Sequence, residues 1–136
     1  MRYLAIDYGE KRTGLAICDP AQTIASPLTV IEGQRQLLQQ IAFICKAEAV
    51  RAIVIGLPLN MDGSEGPQAK TVRKFAARLR TQIDIPLCFQ DERLSSFAAQ
   101  DKLAPARLSR AKTKKYADAV AAAEILNNFL DAKKGR

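Results

Sequence analysis

The chain has 136 residues, of which 48% are hydrophobic and 26% charged, and its formal net charge is +7. These values are ordinary for a soluble globular protein, so we expect a single domain over residues 1–136. No apolar segment approaches the roughly 20 residues that a membrane helix needs, and the N-terminal run is unlike a signal peptide, which predicts a cytoplasmic protein with no membrane contact. The absence of histidine excludes imidazole general bases, catalytic triads and histidine-rich zinc sites.

Three cysteines, Cys18, Cys45 and Cys88, are far apart in the sequence and form no C-x-x-C pair. Because an odd number of cysteines argues against a disulfide framework, we predict that all three are small core residues in a reducing compartment.

The positive charge is concentrated near the C-terminus. Residues 104–136 carry eight basic and three acidic side chains, which accounts for five of the seven net positive charges. Such a patch predicts a polyanionic partner, nucleic acid in particular. The alternative is a solvated helix face followed by a basic tail.

The predicted elements begin with a β-hairpin, since apolar runs at residues 4–6 and 14–18 flank a glycine-containing loop. A third strand is predicted at residues 23–31, where Pro27 indicates an edge or a bulge. There follow a helix at 34–47, a strand at 49–56, a helix at 67–82, a strand at 85–90, a short helix at 94–103, a flexible basic connection at 104–113 and a final amphipathic helix at 114–130. This order predicts an α/β fold with a mixed five-stranded sheet, antiparallel over its first three strands, and helices on both faces.

Acidic residues follow two of the predicted strands. Asp7 ends the first strand, and Asp91 and Glu92 follow the fifth. Neighbouring residues of a strand point to opposite faces, so only one of that pair can join Asp7, and we prefer Glu92. Ligands of such sheets gather at the carboxyl ends of the parallel strands, where these acids are expected.

A third acid, Asp118, heads the apolar stripe of the final helix, because Ala121, Ala122, Ile125 and Phe129 follow it at helical spacing. The alternative is an acid at a helix start, favoured by the helix dipole. We predict that Asp118 meets Asp7 and Glu92.

Three clustered carboxylates repel one another unless cations hold them, and hard oxygen ligands suit Mg²⁺ or Mn²⁺. Such ions support phosphodiester hydrolysis without histidine, so Asp7, Glu92 and Asp118 are the predicted metal ligands and catalytic residues.

A polar loop, residues 56–66, follows the buried fourth strand and contains three glycines. Asn60 and Ser64 could contact phosphate or bases near the acids, although an ordinary loop has the same composition. The loop is not a P-loop, because G-x-x-x-x-G-K-[ST] is absent.

Four segments taken together, AIDYGEKRTGLAICD, IVIGLPLNMDGSEG, DERLSS and DAVAAAEIL, resemble in order and spacing the YqgF family, whose members are called RuvX and are associated with Holliday junction resolution or pre-16S rRNA processing. The match extends from about residue 4 to residue 130. The resemblance implies a ribonuclease H-like fold, a bacterial cytoplasmic setting and processing of the 16S rRNA 5′ end. It assigns the acids to Asp7, Glu92 and Asp118, and it matches Arg12 and Arg93 to basic positions that contact phosphate. The related RuvC resolvases use four acids, so Asp91 is a candidate for the fourth and the number of metal ions stays open.

The expected partner is structured RNA, with pre-16S rRNA first and a DNA junction second, and the expected assembly is a monomer or a weak homodimer. The predicted substrate-binding residues are Arg12, Asn60, Arg93, Lys114 and Lys115.

Two other functions stay open: a Holliday junction resolvase and a non-catalytic ribosome-assembly or nucleic-acid-binding factor. The hairpin also resembles the phosphate-binding hairpin of actin and sugar kinases, but those proteins enclose ATP between two such domains.

Overall fold

The computed structural model of the protein describes residues 2–92 and 110–134. Its elements are β1 (Arg2–Asp7), β2 (Arg12–Cys18), β3 (Ala25–Glu32), α1 (Leu37–Ala47), β4 (Val50–Leu57), α2 (Pro67–Arg80), β5 (Leu87–Asp91) and α3 (Arg110–Lys134). Each described element corresponds to one that the sequence predicts.

The five strands form one mixed sheet in the order β3-β2-β1-β4-β5. β1 pairs antiparallel with β2, and β2 pairs antiparallel with β3. β4 lies parallel to β1 and to β5. The predicted sheet, antiparallel over its first three strands and parallel afterwards, is therefore confirmed. Parallel pairing brings the carboxyl ends of β1, β4 and β5 to one edge of the sheet.

Side chains of β1 alternate between two apolar layers, as the period of a strand requires. Leu4 and Ile6 belong to the core beneath α1 and α2. Tyr3 and Ala5 pack with residues of α3 on the other face. Helices thus cover both faces of the sheet, and the odd-numbered positions of β1 face α3.

Two boundaries differ from the predicted ones. α1 begins at Leu37 instead of residue 34, because the side-chain amide of Gln34 donates to the carbonyls of Gly9 and Glu10 at 2.9 Å each and so ties this segment to the hairpin loop. α3 already begins at Arg110, so the flexible connection predicted for 104–113 is wrong over residues 110–113. Alanine, lysine and arginine are good helix formers. The positive charge of this segment therefore did not indicate a loop. The helix predicted at 94–103 lies outside the described residues.

Cys18 and Cys45 are buried as predicted, but Cys88 is exposed. The prediction for Cys88 is wrong because β5 is an edge strand, paired on one side with β4. Among the described residues, no helix is both long enough and apolar enough to span a membrane.

Candidate active site

Asp7 is the last residue of β1, and the alternation of that strand turns it toward α3. Its partner across the hairpin is Gly14 of β2. On the other side, Ile6 pairs with Ile55, so Gly56 of β4 lies next to the end of β1. Two glycines in adjacent strands therefore flank Asp7.

Gly14 allows α3 to approach the sheet directly beside Asp7. A Cβ atom on Gly14 would lie 1.9 Å from the carbonyl oxygen of Asp118, a separation that no side chain could tolerate. The backbone of α3 at Asp118 thus rests on the backbone of β2. This contact places the third predicted acid next to the first.

Gly56 makes room for the second predicted acid. A Cβ atom on Gly56 would lie 2.6 Å from Oε2 of Glu92 and 2.5 Å from Cδ1 of Ile125. The N–H of Glu92 donates to the carbonyl of Leu57 at 3.2 Å, which holds the chain against β4 after β5 ends. Asp91 is exposed, so Glu92 is the acid of this pair that turns inward.

The three acids interact electrostatically. Burial, and to a smaller extent the negative charge of Asp118, raise the pKa of Asp7 from its ordinary 3.8 to about 7, while a hydrogen bond with Glu92 acts in the opposite direction. Two carboxyl groups joined by a hydrogen bond need a proton between them. The Asp7–Glu92 pair therefore keeps a proton near neutral pH.

Asp118 is neutralised by a cation from the same hairpin. Nε of Arg12 donates to Oδ2 of Asp118 at 2.9 Å, and both side chains are about one-third exposed. Arg12, predicted to bind substrate, thus lies at the acids. In the described part of the chain, no three acidic or cysteine side chains are arranged as a ready-made metal centre. The Asp118 carboxylate is turned to Arg12 instead.

The chemistry of the donors nevertheless suits a hard divalent cation. Asp7 and Glu92 offer carboxylate oxygens, the ligands that Mg²⁺ and Mn²⁺ prefer. The raised pKa of Asp7 means that the fold holds this carboxyl without full charge compensation. A cation bound between these groups would supply the missing positive charge.

A cleft of about 950 Å³ opens over Asp7 and Glu92. The loop that follows Asp7 forms one wall, and the start of α2 forms another. α2 begins with Pro67 after Gly66, and no side chain caps its first turn. The dipole of a helix favours anions at its N-terminus, so this wall suits a phosphate.

Of the other predicted substrate-binding residues, Asn60 lines this cleft. Its amide donates to the hydroxyl of Ser64 at 2.9 Å, and that hydroxyl donates to Asp62, so the loop is held by its own polar groups. Lys114 and Lys115 lie on α3, in its first part, where only the backbone is described. Arg93 lies outside the described residues.

The sequence interpretation missed the roles of Gly14 and Gly56 and the pairing of Arg12 with Asp118. A glycine inside a strand often marks a close approach of another backbone, and this signal was available for both glycines. Nothing local could reveal the ion pair, because its two residues are 106 positions apart.

Known proteins are similar in sequence to this chain over almost its whole length. A protein of Maridesulfovibrio salexigens, named "Putative pre-16S rRNA nuclease", is 45% identical over 132 residues, which cover 96% of this chain and 98% of the relative. A protein of the same name from Roseiflexus sp. (strain RS-1) is 41% identical over 135 residues, which cover 98% of this chain and 96% of the relative.

Solved structures share the fold at much lower identity. The RuvC of T. thermophilus in complex with a Holliday junction substrate aligns with a TM-score of 0.62 at 15% identity over 99% of this chain and 96% of that one. The resolvase of Fowlpox virus, also solved with Holliday junction DNA, aligns with a TM-score of 0.58 at 10% identity over 98% and 99% of the two chains. The predicted ribonuclease H-like fold is thereby confirmed. The family model described as "RuvX: Holliday junction resolvase" matches residues 1–132, and with relatives above 40% identity over almost the whole chain, this protein belongs to the RuvX family.

Proposed function

We propose that this protein is a metal-dependent endonuclease that cleaves structured RNA, with the 5′ end of precursor 16S rRNA as its substrate in the cytoplasm. The observation that carries the proposal is that Asp7 and Glu92 line one cleft and share a hydrogen bond, while Asp118 lies close enough for its charge to raise the pKa of Asp7. A protein that only bound polyanions would gain nothing from negative charge at that position. The names of the relatives support a ribosomal RNA precursor as the substrate.

Asp7, Glu92 and Asp118 would hold Mg²⁺ or Mn²⁺. A bound ion of this kind supplies Lewis-acid chemistry, by lowering the pKa of water and compensating charge at phosphorus. Arg12 places a guanidinium beside the acids, where it would contact a phosphate oxygen. Asn60 would contact the strand from the rim of the cleft, and Arg93, Lys114 and Lys115 would add positive charge along its approach.

The test compares cleavage of an end-labelled 5′ segment of precursor 16S rRNA with cleavage of a four-way DNA junction, in Mg²⁺, Mn²⁺ or EDTA. We expect the RNA to be cut only with metal. The Asp7→Asn variant should lose cleavage by at least about 100-fold, because it removes a charged ligand of the metal, while RNA binding is kept or strengthened.

Glu10→Gln is the matched control, because Glu10 lines the same cleft but is exposed and lies outside the carboxyl cluster. It should cleave at nearly the wild-type rate. Metal-dependent cleavage that survives Asp7→Asn would show that the catalytic assignment is wrong.

A DNA junction resolvase is the second candidate, because the matching family model and the structural neighbours carry that description. Paired symmetric nicks in the junction, with intact RNA, would establish it in place of the first. Tight RNA binding with cleavage of neither substrate would indicate a non-catalytic ribosome-assembly factor.

A further inference from the structure

A second pocket, of about 160 Å³, lies on the α1–α2 side of the sheet, between the start of α1 and the last turns of α2. Its polar lining consists of two guanidinium groups and three primary amides, and the described residues contribute no carboxylate to it. These polar residues are Gln34, Arg35, Gln39, Arg78 and Gln82.

Tyr8, the residue after Asp7, connects the cleft with residues of this pocket. It lines the cleft, and its ring stacks on Phe75 of the pocket with 4.2 Å between the ring centroids. Its hydroxyl donates to Oε1 of Gln34 at 3.0 Å and lies 3.4 Å from a guanidinium nitrogen of Arg78. The pocket is therefore coupled directly to the strand end that carries Asp7.

One face of α2 leads from the cleft to the pocket. Gln68 and Thr71 line the cleft, and Phe75 and Arg78 line the pocket, at the three- and four-residue spacing of a single helix face. Val72, the last residue of α2 in the cleft, precedes Arg78 by six positions, which is about 9 Å along the helix axis.

The positive charge of this pocket is not neutralised within the described residues. Arg35 has no hydrogen bond or ion pair there, and Arg78 has only the long contact with the Tyr8 hydroxyl. Arg73 of the same helix differs, because it forms two hydrogen bonds with Glu65 at 2.7 Å. Guanidinium and amide N–H groups converging without an acid are the ligands that phosphate oxygens require.

We propose that this pocket is a second phosphate subsite, which binds a backbone phosphodiester of the strand whose cleaved bond lies at Asp7. This subsite rests on the proposed binding of nucleic acid in the cleft and adds a fixed register for the strand. A free phosphate ion has the same chemistry, so the experiment separates the two sources.

The test measures binding of the full chain to a labelled RNA hairpin with a single-stranded 5′ tail, in EDTA and over a range of chloride concentrations. Arg78→Ala and Arg35→Ala should each weaken binding about tenfold, the effect expected for one charge-assisted contact. Each should also make the fall of log affinity with log salt concentration less steep, by about 0.7 to 0.9, which is the contribution of one phosphate contact.

Arg80→Ala is the matched control, since Arg80 lies in the last turn of the same helix, is exposed and does not line the pocket. It removes the same charge and should leave the salt slope unchanged. Tyr8→Phe removes the hydroxyl contact of Arg78 without a change of charge, so it should also keep the slope. If Arg78→Ala and Arg35→Ala behave like Arg80→Ala, the subsite does not exist.

Neutral methylphosphonate linkages test the position of the phosphate. With each linkage replaced in turn, one substitution near the cut should reproduce the loss in the wild type and add nothing further in Arg78→Ala. Inorganic phosphate that stabilises the wild type but not Arg78→Ala, with RNA binding equal in both, would assign the pocket to a free anion and overturn the proposal.

Failure of the subsite and failure of the proposed function are distinguishable, because binding is measured without metal and without cleavage. Arg78-dependent RNA binding by a protein that cleaves no RNA would keep the subsite and reject the nuclease. Metal-dependent cleavage, with Arg78→Ala indistinguishable from Arg80→Ala, would keep the nuclease and reject the subsite. A wild type that does not bind the RNA rejects the subsite as well.

Discussion

At the scale of single residues, the acids of this site are held in two different ways. Asp7 shares a hydrogen bond with Glu92 and has a pKa near 7, so the pair carries a proton. Asp118 has a guanidinium beside it instead, since Arg12 donates to it at 2.9 Å. A metal ion would have to displace a proton from the first group and compete with an arginine for the second. Binding of the proposed metal would therefore be coupled to proton release.

The raised pKa of Asp7 has a consequence for stability. The fold keeps a proton on Asp7 up to about pH 7, whereas the unfolded chain loses it near the ordinary pKa of 3.8. Unfolding between these values releases a proton, so the free energy of unfolding should fall as pH rises, by up to about 1.4 kcal/mol per pH unit, and level off above about pH 7. Urea denaturation in EDTA from about pH 5 to about pH 8 measures this slope.

Asp7→Asn isolates the contribution of this one carboxyl. The variant cannot ionise at position 7, so its unfolding free energy lacks this contribution to the pH dependence. As pH rises, the variant should therefore become more stable relative to the wild type. Equal pH profiles for the two proteins would mean that Asp7 titrates at its ordinary pKa in the folded state. Glu10→Gln again serves as the control, and its profile should parallel that of the wild type.

At the scale of elements, the site depends on how closely α3 approaches the sheet. The backbone of Asp118 contacts Gly14, and the partner of Gly14 in the hairpin is Asp7. One helix–strand contact thus sets the distance between two of the acids.

Gly14→Ala should therefore damage both the fold and the site. The new methyl group would overlap the carbonyl of Asp118, so α3 must shift, and we expect a loss of about 2 to 3 kcal/mol in unfolding free energy. A displaced Asp118 should also weaken the pH dependence described for Asp7. Denaturation of the variant at several pH values measures both effects.

Gly33→Ala provides the comparison, because Gly33 has a φ of +78° and open space around its Cβ position. It should cost only the backbone strain, about 1 kcal/mol. If Gly14→Ala is no more destabilising than Gly33→Ala, α3 does not rest on β2 at this glycine.

Elements and acids could be predicted because they follow local rules. Strand periodicity located the elements, and the rule for strand ends placed Asp7 and Glu92 at one edge of the sheet, with Asp118 added by helical spacing. The Arg12–Asp118 pair depends on how α3 packs across β2, which no local pattern encodes. The exposure of Cys88 follows from the strand order, which made β5 an edge.

At the scale of the whole molecule, the charges are divided between two regions. The chain carries +7 in all, most of it in the C-terminal quarter, while Asp7 and Glu92 line the cleft. Positive charge outside the cleft would attract the backbone of a nucleic acid, and the acids would repel it until a cation is bound. In the proposed nuclease, this division would favour cleavage only when metal is present.

Lys114 and Lys115, at the start of α3, test whether the basic C-terminal part contributes to this attraction. The double variant Lys114→Gln/Lys115→Gln should reduce the slope of log RNA affinity against log salt by about 1.4 to 1.8, because two phosphate contacts are lost. Lys46→Gln/Lys70→Gln removes the same charge from exposed positions on α1 and α2 that line neither the cleft nor the second pocket, and it should change the slope much less. Anisotropy titrations in EDTA at several chloride concentrations measure all three proteins. Equal slopes for the two double variants would show that only the overall charge of the molecule matters, and that the start of α3 does not lie along the bound strand.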